Sequence, residues 1–549
     1  MSPVMTAGRA VAEIIRRHGV THVFCVPGES YLPVIDAFYD MPDVQLVLNR
    51  HEGGSVFCAE GYAKASGRAG VAMATRGVGA GNLAIGVHTA RQDSTPLVVL
   101  LGQVPTRFLH REAFQEVDLA AFFRPVAKWA VQVEHPARVP ELVAQAFRVA
   151  TAGRPGPVVV ALPEDVLDRE VDFRPPAPPP RPRPRPAPDE VESAVRLLLD
   201  AERPGILAGG GVLRAGATPV LVQFAEALAA PVFAGFRRFD VFPNDHPLFL
   251  GGLGMATRPE IVDFVRSRDV LLVVGSRLTE FTTQGYTLPA PETRVIQVDI
   301  APEVIGAVCD VEVGIVADAG MALGDLLEAV RASDFPGSDR HRHRREAAGA
   351  LRAVYERITA PRPMAESEPV DPEGVMHDLQ AILPPEAAIV TDAGNFSGWP
   401  ARFYRFRRPG THFGPISGAM GYGLPAAIGV AMATPGRPVV CLAGDGGFLM
   451  TANELETAVR HRVPVVSIVF HNGMYGTMRM HQERRYPGRP IGWALGDPGF
   501  ADLARAMGAH GERVERNRDF PAALRRALAA GGPAVMELIT RPERLSARE

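Results

Sequence analysis

The sequence predicts an α/β protein built from three doubly wound parallel-sheet domains, on three observations. Short β-branched apolar runs alternate with helical stretches along the chain, the pattern of parallel strands covered by helices on both faces. At 549 residues the chain exceeds what one hydrophobic core usually serves. Two segments of contrasting composition cut it into three parts of ordinary domain size.

In the first part, residues 1–173, the runs Gly70–Thr75 and Pro157–Leu162 read as buried strands, and a helix is expected over residues 53–67. The stretch RPPAPPPRPRPRPAP, residues 174–188, has no backbone donor at its prolines and reads as an extended linker. The second part, residues 189–332, carries strand-like runs at Val270–Gly275 and Arg294–Asp299. Residues 333–370, with DRHRHRREAAGALRAVYERI followed by APRPMAESEPVDP, read as a solvated charged helix and a second linker. The third part, residues 371–549, carries runs at Pro438–Ala443 and Pro464–Phe470. GYAKASGRAGVAMATRGVGAGN from Gly61 echoes GYGLPAAIGVAMATPGRPVVCLAGDGG from Gly421 in the order helix, turn, strand, glycine-rich loop. That echo suggests two similar domains flanking a different middle one.

Composition removes several classes of function. Hydrophobic residues at 46% and charged residues at 22% describe a chain able to bury cores rather than a disordered one. A formal net charge of −3 offers no general attraction for a polyanion, so nucleic acid is not an expected partner. The longest apolar runs fall far short of the roughly 20 residues of a membrane span. Near the N-terminus Glu13 stands among Ile14, Ile15, Arg16 and Arg17, which interrupts any secretory core, and a cytoplasmic location is expected. Cys25, Cys58, Cys309 and Cys441 have neither zinc-site spacing nor the density of a disulfide scaffold.

The chemistry is concentrated in VVCLAGDGGFLMTANELETAVRHRVPVVSIVFHNGMYG, Val439 to Gly476. One strand ends at Gly444-Asp445-Gly446-Gly447, a helix is expected through Arg460, and the next strand ends at His471-Asn472-Gly473. A right-handed crossover makes these strands parallel and brings Asp445 and Asn472, 27 positions apart, to one sheet edge. One carboxylate and one amide oxygen form a hard, oxygen-only partial shell suited to Mg²⁺ bridging to phosphate oxygens. Gly446 and Gly447 leave backbone N–H groups open and permit close approach of a diphosphate at a helix N-terminus. Glycine-rich turns alone are commoner as plain βα connections. The G-D-G, the interval and the closing asparagine together point to a metal with a diphosphate. The runs Gly77-x-Gly79-x-Gly81 and Gly209–Gly211 complete no dinucleotide fingerprint.

This combination is the thiamine diphosphate binding signature, and with it the chain resembles the acetolactate synthase (acetohydroxyacid synthase) large-subunit family over nearly its whole length. VFCVPGESYLPVIDAFYD, which contains Gly28, resembles the family's opening strand and loop. RHEGGSVFCAEGYAKASGR contains its His-Glu-x-Gly segment and matches Glu52 to the catalytic glutamate. In that role a carboxylate bonded to the aminopyrimidine ring favours the imino tautomer that removes the thiazolium C2 proton. Gln115 in AFQEVD matches an active-site glutamine, and Lys128 in AKW a lysine of a substrate-proximal stretch. SGAMGYGLPAAIG from Ser417 places Gly418 and Met420 where the family grips the pyrimidine and bends the cofactor. Asp445, Gly446, Gly447 and Asn472 match the diphosphate and metal positions, Met474 would lend its backbone carbonyl to the metal, and Asn395 in TDAGN would lie near the diphosphate.

The resemblance implies thiamine diphosphate, Mg²⁺, a 2-oxo acid substrate, and a homodimer or homotetramer whose active sites lie between subunits. Carboligation of pyruvate to an acetohydroxy acid is the first expectation. The enzyme alternatives are simple 2-oxo acid decarboxylation and a 2-hydroxyacyl-CoA lyase or oxalyl-CoA decarboxylase. The non-enzyme alternative is a catalytically silent regulatory relative, against which Glu52, Asp445 and Asn472 together argue. Four departures qualify the match. The family's TSGPGATN reads TRGVGAGN from Thr75, which introduces Arg76. His481 stands where the family carries an acceptor-selecting tryptophan. GSRLTEFTTQG from Gly275 matches the flavin segment poorly, so FAD is expected to be absent. The chain stops soon after the run Ala534–Ile539, so no long closing tail is expected. Gly28, Arg76, Lys128 and His481 are the expected substrate contacts.

Overall fold

The computed structural model describes residues 4–174 and 177–548, and within them three six-stranded sheets, each parallel throughout. β1 (Val4–Thr6) pairs antiparallel with β8 (Glu170–Asp172) and ties the two ends of the first domain. Between them lie β2 (His22–Cys25), β3 (Gln45–Leu48), β4 (Gly70–Ala74), β5 (Leu97–Gln103), β6 (Trp129–Gln132) and β7 (Pro157–Pro163), in the order β3-β2-β4-β5-β7-β6. The middle domain holds β9 (Pro204–Ala208), β10 (Val232–Ala234), β11 (Phe249–Gly252), β12 (Val270–Val274), β13 (Arg294–Asp299) and β14 (Val313–Val316), in the order β11-β10-β9-β12-β13-β14. The last domain holds β15 (Ala388–Thr391), β16 (His412–Phe413), β17 (Val439–Gly444), β18 (Val465–His471), β19 (His510–Val514) and β20 (Ala534–Ile539), in the order β16-β15-β17-β18-β20-β19. The strands expected from sequence fall within a residue of those observed, because central parallel strands are buried on both faces and are apolar throughout.

Counted within its own sheet, each outer domain orders its strands 2-1-3-4-6-5, whereas the middle domain runs 3-2-1-4-5-6. The echo between Gly61 and Gly421 is therefore a shared topology. Its two helices, Glu52–Ser66 and Gly423–Ala433, pack against each other. A Cβ on Gly61 would overlap the Ala426 carbonyl, and one on Gly429 the Cys58 carbonyl, so the backbones meet where only glycine fits. This contact fixes Glu52, the first residue of its helix, against the last domain.

Two expectations are corrected. The charged segment forms the helix Asp339–Thr359, but it is not solvated all round. Arg344 is 5% exposed and donates to the carbonyls of Leu198 and Leu199 at the end of the helix Pro188–Asp200. Arg352 donates to the carbonyls of Asn244, His246 and Phe249, and Tyr355 is buried. Guanidinium groups that cap backbone carbonyls make this helix part of the middle domain, which a charge pattern alone does not reveal. The helix expected to run from Asp445 through Arg460 is two, Asp445–Met450 and Glu454–Arg460. The break falls at Thr451, whose hydroxyl donates to the Gly421 carbonyl at 2.8 Å. The proline-rich stretch has no regular structure from residue 177 until the helix begins at Pro188; residues 175–176 lie outside the described residues. Among the described residues no helix is long and apolar enough to cross a membrane.

Candidate active site

β17 and β18 are adjacent and parallel, with Gly444 opposite Phe470, so Asp445 and Asn472 leave one sheet edge side by side. The Asp445 carboxylate joins the two loops. Oδ2 accepts the N–H groups of Asn472 at 3.1 Å and Gly473 at 2.7 Å, and Oδ1 accepts that of Gly446 at 2.7 Å. Asp445 is 5% exposed and lines a cavity of about 330 Å³ with Asn395, Gly418, Met420, Asn472 and Met474; Gly446 and Gly447 complete its floor. The donor set fits Mg²⁺ with a diphosphate: a carboxylate, an amide side chain and the Met474 carbonyl are all oxygen donors. A Cβ on Gly446 would lie 2.5 Å from the Tyr475 ring, so the cradle is shaped by the absence of a side chain. Gly418 holds φ +70°, and the Asn395 N–H donates to the Thr477 hydroxyl at 3.2 Å.

Glu52 is built on another surface. It opens its helix, with the His51 ring accepting the Gly53 N–H as a cap at 3.0 Å. Its carboxylate is 9% exposed, and Oε2 accepts Asn82 Nδ2 at 2.8 Å. Gln115 lies on the same side: its carbonyl accepts the Gly77 N–H at 3.0 Å at the start of the helix Gly77–Asp93, which carries Asn82, and its side-chain oxygen is buried without a partner. Neither Glu52 nor Gln115 lines the cavity around Asp445. Within one chain the surroundings of Glu52 and the cavity around Asp445 are therefore separate.

Two supporting carboxylates were not singled out from sequence. Glu454 accepts Asn49 Nδ2 at 2.8 Å and the N–H groups of Arg50 at 3.1 Å and His51 at 3.0 Å, so the last domain holds the turn that presents Glu52. Burial raises its pKa, against the hydrogen bonds that lower it. In sequence it lies in ELETAVR, which reads as an ordinary charged helix. Asp392 accepts the N–H groups of Ala393 at 2.6 Å, Gly421 at 3.0 Å and Gly423 at 3.0 Å, bracing the loop that carries Gly418 and Met420. Burial pushes its pKa up to about 6. Its sequence signal is TDAGN, the segment that also carries Asn395.

The expected substrate contacts divide. Arg76 pairs with Glu29 at 2.8 Å and Glu164 at 2.9 Å, so it supplies no free positive charge. Lys128 donates all three ammonium protons to the carbonyls of Val149, Ala152 and Arg154 at 2.6–2.8 Å, closing the end of the helix Val139–Thr151. Burial and the neighbouring Arg91 and Arg154 bring its pKa down to about 8. Both residues are structural, which corrects their assignment to substrate. Gly28 packs against Thr75, beside the Ser30–Thr75 hydroxyl pair. His481 is exposed on the helix Gly476–Arg485 and lines a second cavity of about 610 Å³ with Arg484, Phe281 and Arg548. The two cavities share Arg237, Met255, Asn395 and Thr477 in their walls. Beyond β20, Thr540, Arg544 and Leu545 line the inner cavity, and Ser546 and Arg548 the outer. Arg479 donates to the Pro542 carbonyl at 3.1 Å and Arg258 to that of Arg548 at 3.2 Å, holding this segment over the site. A third cleft of about 470 Å³ opens at the carboxyl ends of β9, β12 and β13, between Gly209–Gly211, Gly275, Arg277 and Asp299, the usual place for a nucleotide in an open parallel sheet.

Comparison with known proteins matches the chain domain by domain. Residues 5–122 match the family described as thiamine pyrophosphate enzyme, N-terminal TPP binding domain; residues 191–326 match its central domain and residues 392–538 its C-terminal TPP binding domain. The chain is 35% identical to a probable acetolactate synthase large subunit of Methanocaldococcus jannaschii, over 98% of this chain and 92% of that one. It is 35% identical to the acetolactate synthase large subunit of Corynebacterium glutamicum, over 97% and 87%. It is 33% identical to the acetolactate synthase isozyme 2 large subunit of Escherichia coli, over 97% and 95%. With all three domains matched and the relatives similar from end to end, the chain belongs to the acetolactate synthase large-subunit family and is a thiamine diphosphate-dependent enzyme.

Proposed function

We propose that this enzyme is a Mg²⁺-dependent carboligase of 2-oxo acids, which decarboxylates pyruvate and joins the remaining two-carbon unit to a second carbonyl. The observation that carries the reading is the coupling of Asp445 to the Asn472 loop inside a cavity of oxygen donors and glycines. Asp445, Asn472 and the Met474 carbonyl would hold the ion, and Gly446 and Gly447 would face the diphosphate. When bound, thiamine diphosphate supplies an acidic carbon that adds to carbonyls and an electron sink for loss of CO₂. Glu52 holds and moves a proton, and Asn82 fixes its carboxylate for that task. Gly418 and Met420 set the shape of the inner cavity.

The separation of Glu52 from the cavity supports a homodimer, or a dimer of dimers, in which each chain brings Glu52 to the other's Asp445. Val78 and Ile85 on the helix beside Glu52, with Phe114, and Leu449 and Met450 beside the cavity, are exposed apolar side chains suited to such an interface. FAD is not part of this reading, because the reaction transfers no electrons to an acceptor and GSRLTEFTTQG departs from the flavin pattern. The test is incubation of apoprotein with thiamine diphosphate, Mg²⁺ and a panel of 2-oxo acids, with products identified by mass. Acetolactate from pyruvate, dependent on both additions and formed without stoichiometric yellow absorbance in the protein, is expected. Acetaldehyde alone, or turnover only of a coenzyme A thioester, overturns the carboligase reading, and a stoichiometric flavin overturns the expectation of its absence.

A further inference from the structure

The segment that follows β20 runs along the loop that carries Asn472. The Thr540 N–H and hydroxyl both donate to the carbonyl of His471, at 2.9 and 3.2 Å. A Cβ on Gly476 would lie 3.2 Å from Leu545 and 3.7 Å from the Asn472 amide, so Leu545 sits beside that side chain. Arg544, between these two anchors, lines the inner cavity with Asp445, Gly446 and Asn472. It lies beyond residues 392–538, which match the C-terminal TPP binding domain. Its guanidinium is held without being used up. Nη2 donates to Asp371 and Glu373 at 3.5 Å, and Nε lies 3.4 Å from Asp371 Oδ2, beyond the roughly 2.7–3.2 Å usual for such bonds. Both carboxylates have nearer partners: Glu373 accepts Arg362 Nε at 2.8 Å and Nη2 at 2.9 Å, and Asp371 accepts the Glu373 N–H at 2.9 Å. The Arg544 Nε–H is buried without a hydrogen-bond partner, and among the described residues Nη1 has none. The guanidinium also lies over the Trp399 ring, 5.1 Å from its centroid.

We propose that Arg544 binds the terminal phosphate of thiamine diphosphate. The inference rests on the reading of Asp445 and Asn472 as the Mg²⁺ and diphosphate site and extends that site to the last few residues of the chain. Charge requires such a group. A diphosphate ester brings more negative charge than one Mg²⁺ cancels, and Asp445 adds to the excess within the same cavity. The N–H groups of Gly446 and Gly447 supply dipoles but no full charge. Arg237, the other cation in this wall, already donates to the oxygens of Thr391, Asp392 and Ser397. Position agrees, because Thr540 and Leu545 hold Arg544 at the end of the cavity where Asn472 stands. Asp371 and Glu373 turn one edge of the planar guanidinium, so less of its freedom is lost when the remaining donors meet phosphate oxygens. The terminal phosphate is the choice because it carries one more ionisable oxygen than the ester-linked one.

The test measures binding rather than turnover, by titration calorimetry of the full chain with Mg²⁺ present. Wild type, Arg544→Met and Arg544→Lys are each titrated with thiamine diphosphate, and thiamine monophosphate, which lacks the terminal phosphate, is read by competition. The ratio of the two affinities is internal to each protein, so a partly folded variant still reports it. Arg544→Met is expected to lower the diphosphate-to-monophosphate ratio at least tenfold. Arg544→Lys, which keeps the charge but not the fork, is expected to lower it less. An unchanged ratio in Arg544→Met overturns the assignment. Equal weakening for both ligands assigns Arg544 to holding the chain's end in place and also overturns it. Wild-type protein that binds thiamine diphosphate no more tightly with Mg²⁺ than without overturns the metal reading of Asp445 and the proposal with it. Every other failure leaves that reading standing.

Discussion

Replacing Glu454 with alanine removes the acceptor that holds the turn before Glu52, and its cost can be worked from the partners. Four donors end on the carboxylate: Asn49 Nδ2, the N–H groups of Arg50 and His51, and the Thr457 hydroxyl at 2.7 Å. Thr457 has a second acceptor in the Leu48 carbonyl at 3.5 Å and is discounted. Each of the other three, left without a partner, costs about 1–3 kcal/mol, with the partly buried Arg50 and His51 at the low end because water reaches them. The expected loss is about 3–5 kcal/mol of local stability. The pKa adds a sign. Because burial holds the folded-state pKa above the unfolded one, the contribution of this group is fully present below the unfolded pKa and is lost as pH rises through the folded one. The penalty of Glu454→Ala should therefore shrink as pH rises. A three-domain chain need not unfold in one step, so the local quantity is read by hydrogen exchange of the amides from Asn49 to Ser55. Protection there should fall by about a hundredfold or more, with reduced turnover because Glu52 loses its fixed position. Native protection and native turnover in Glu454→Ala would refute the reasoning.

Asp445→Ala is expected to abolish retention of thiamine diphosphate and Mg²⁺ in titration calorimetry, whereas Glu52→Gln should bind both and lose most turnover; wild-type rates in Glu52→Gln would sink its assignment. The wild-type enzyme should show little preference for 2-oxobutanoate over pyruvate as acceptor, and His481→Trp should gain one, since a methylene in an apolar pocket is worth about 1–3 kcal/mol. Competition between the two acids decides this, and a strong preference in the wild type counts against the position. Asp392, with its pKa near 6 against about 3.9 unfolded, contributes stability present below about pH 4 and lost as pH rises through about 6, on the order of 3 kcal/mol. Unfolding curves of wild type and Asp392→Asn should diverge by that amount over this window, and a pH-independent difference would contradict it.

The parts of the site legible in sequence are those where backbone geometry dictates the residue. Asp445 and Asn472 could be placed because a crossover between parallel strands leaves few alternatives, and β17 and β18 are adjacent. Glu454, Asp392 and Arg544 were not legible, because their roles depend on partners far away in the chain: Glu454 bonds residues about 400 positions earlier, Arg544 residues about 170 earlier. Lys128 misled for the opposite reason. A lysine in a matched segment looks like a ligand contact, but its three protons were already taken by the end of a helix only 21–26 positions on.

Arg76 has a fuller explanation, which comes from the shared topology of the outer domains. Each places a glycine-rich loop after the third strand of its sheet, following β4 in the first and β17 in the last. In the sequence echo Thr75-Arg76-Gly77 stands where the last domain has Gly444-Asp445-Gly446. Arg76 is the N-cap residue of the helix Gly77–Asp93, whereas in the last domain Asp445 is the first residue of the helix Asp445–Met450. The partners Glu29 and Glu164 already occupy the Arg76 guanidinium, so it is not free to take a phosphate. On the proposed reading the last domain, with Asp445, takes the metal and diphosphate, and the first contributes Glu52. Each site then needs both a domain that carries Glu52 and one that carries Asp445, which neither supplies alone.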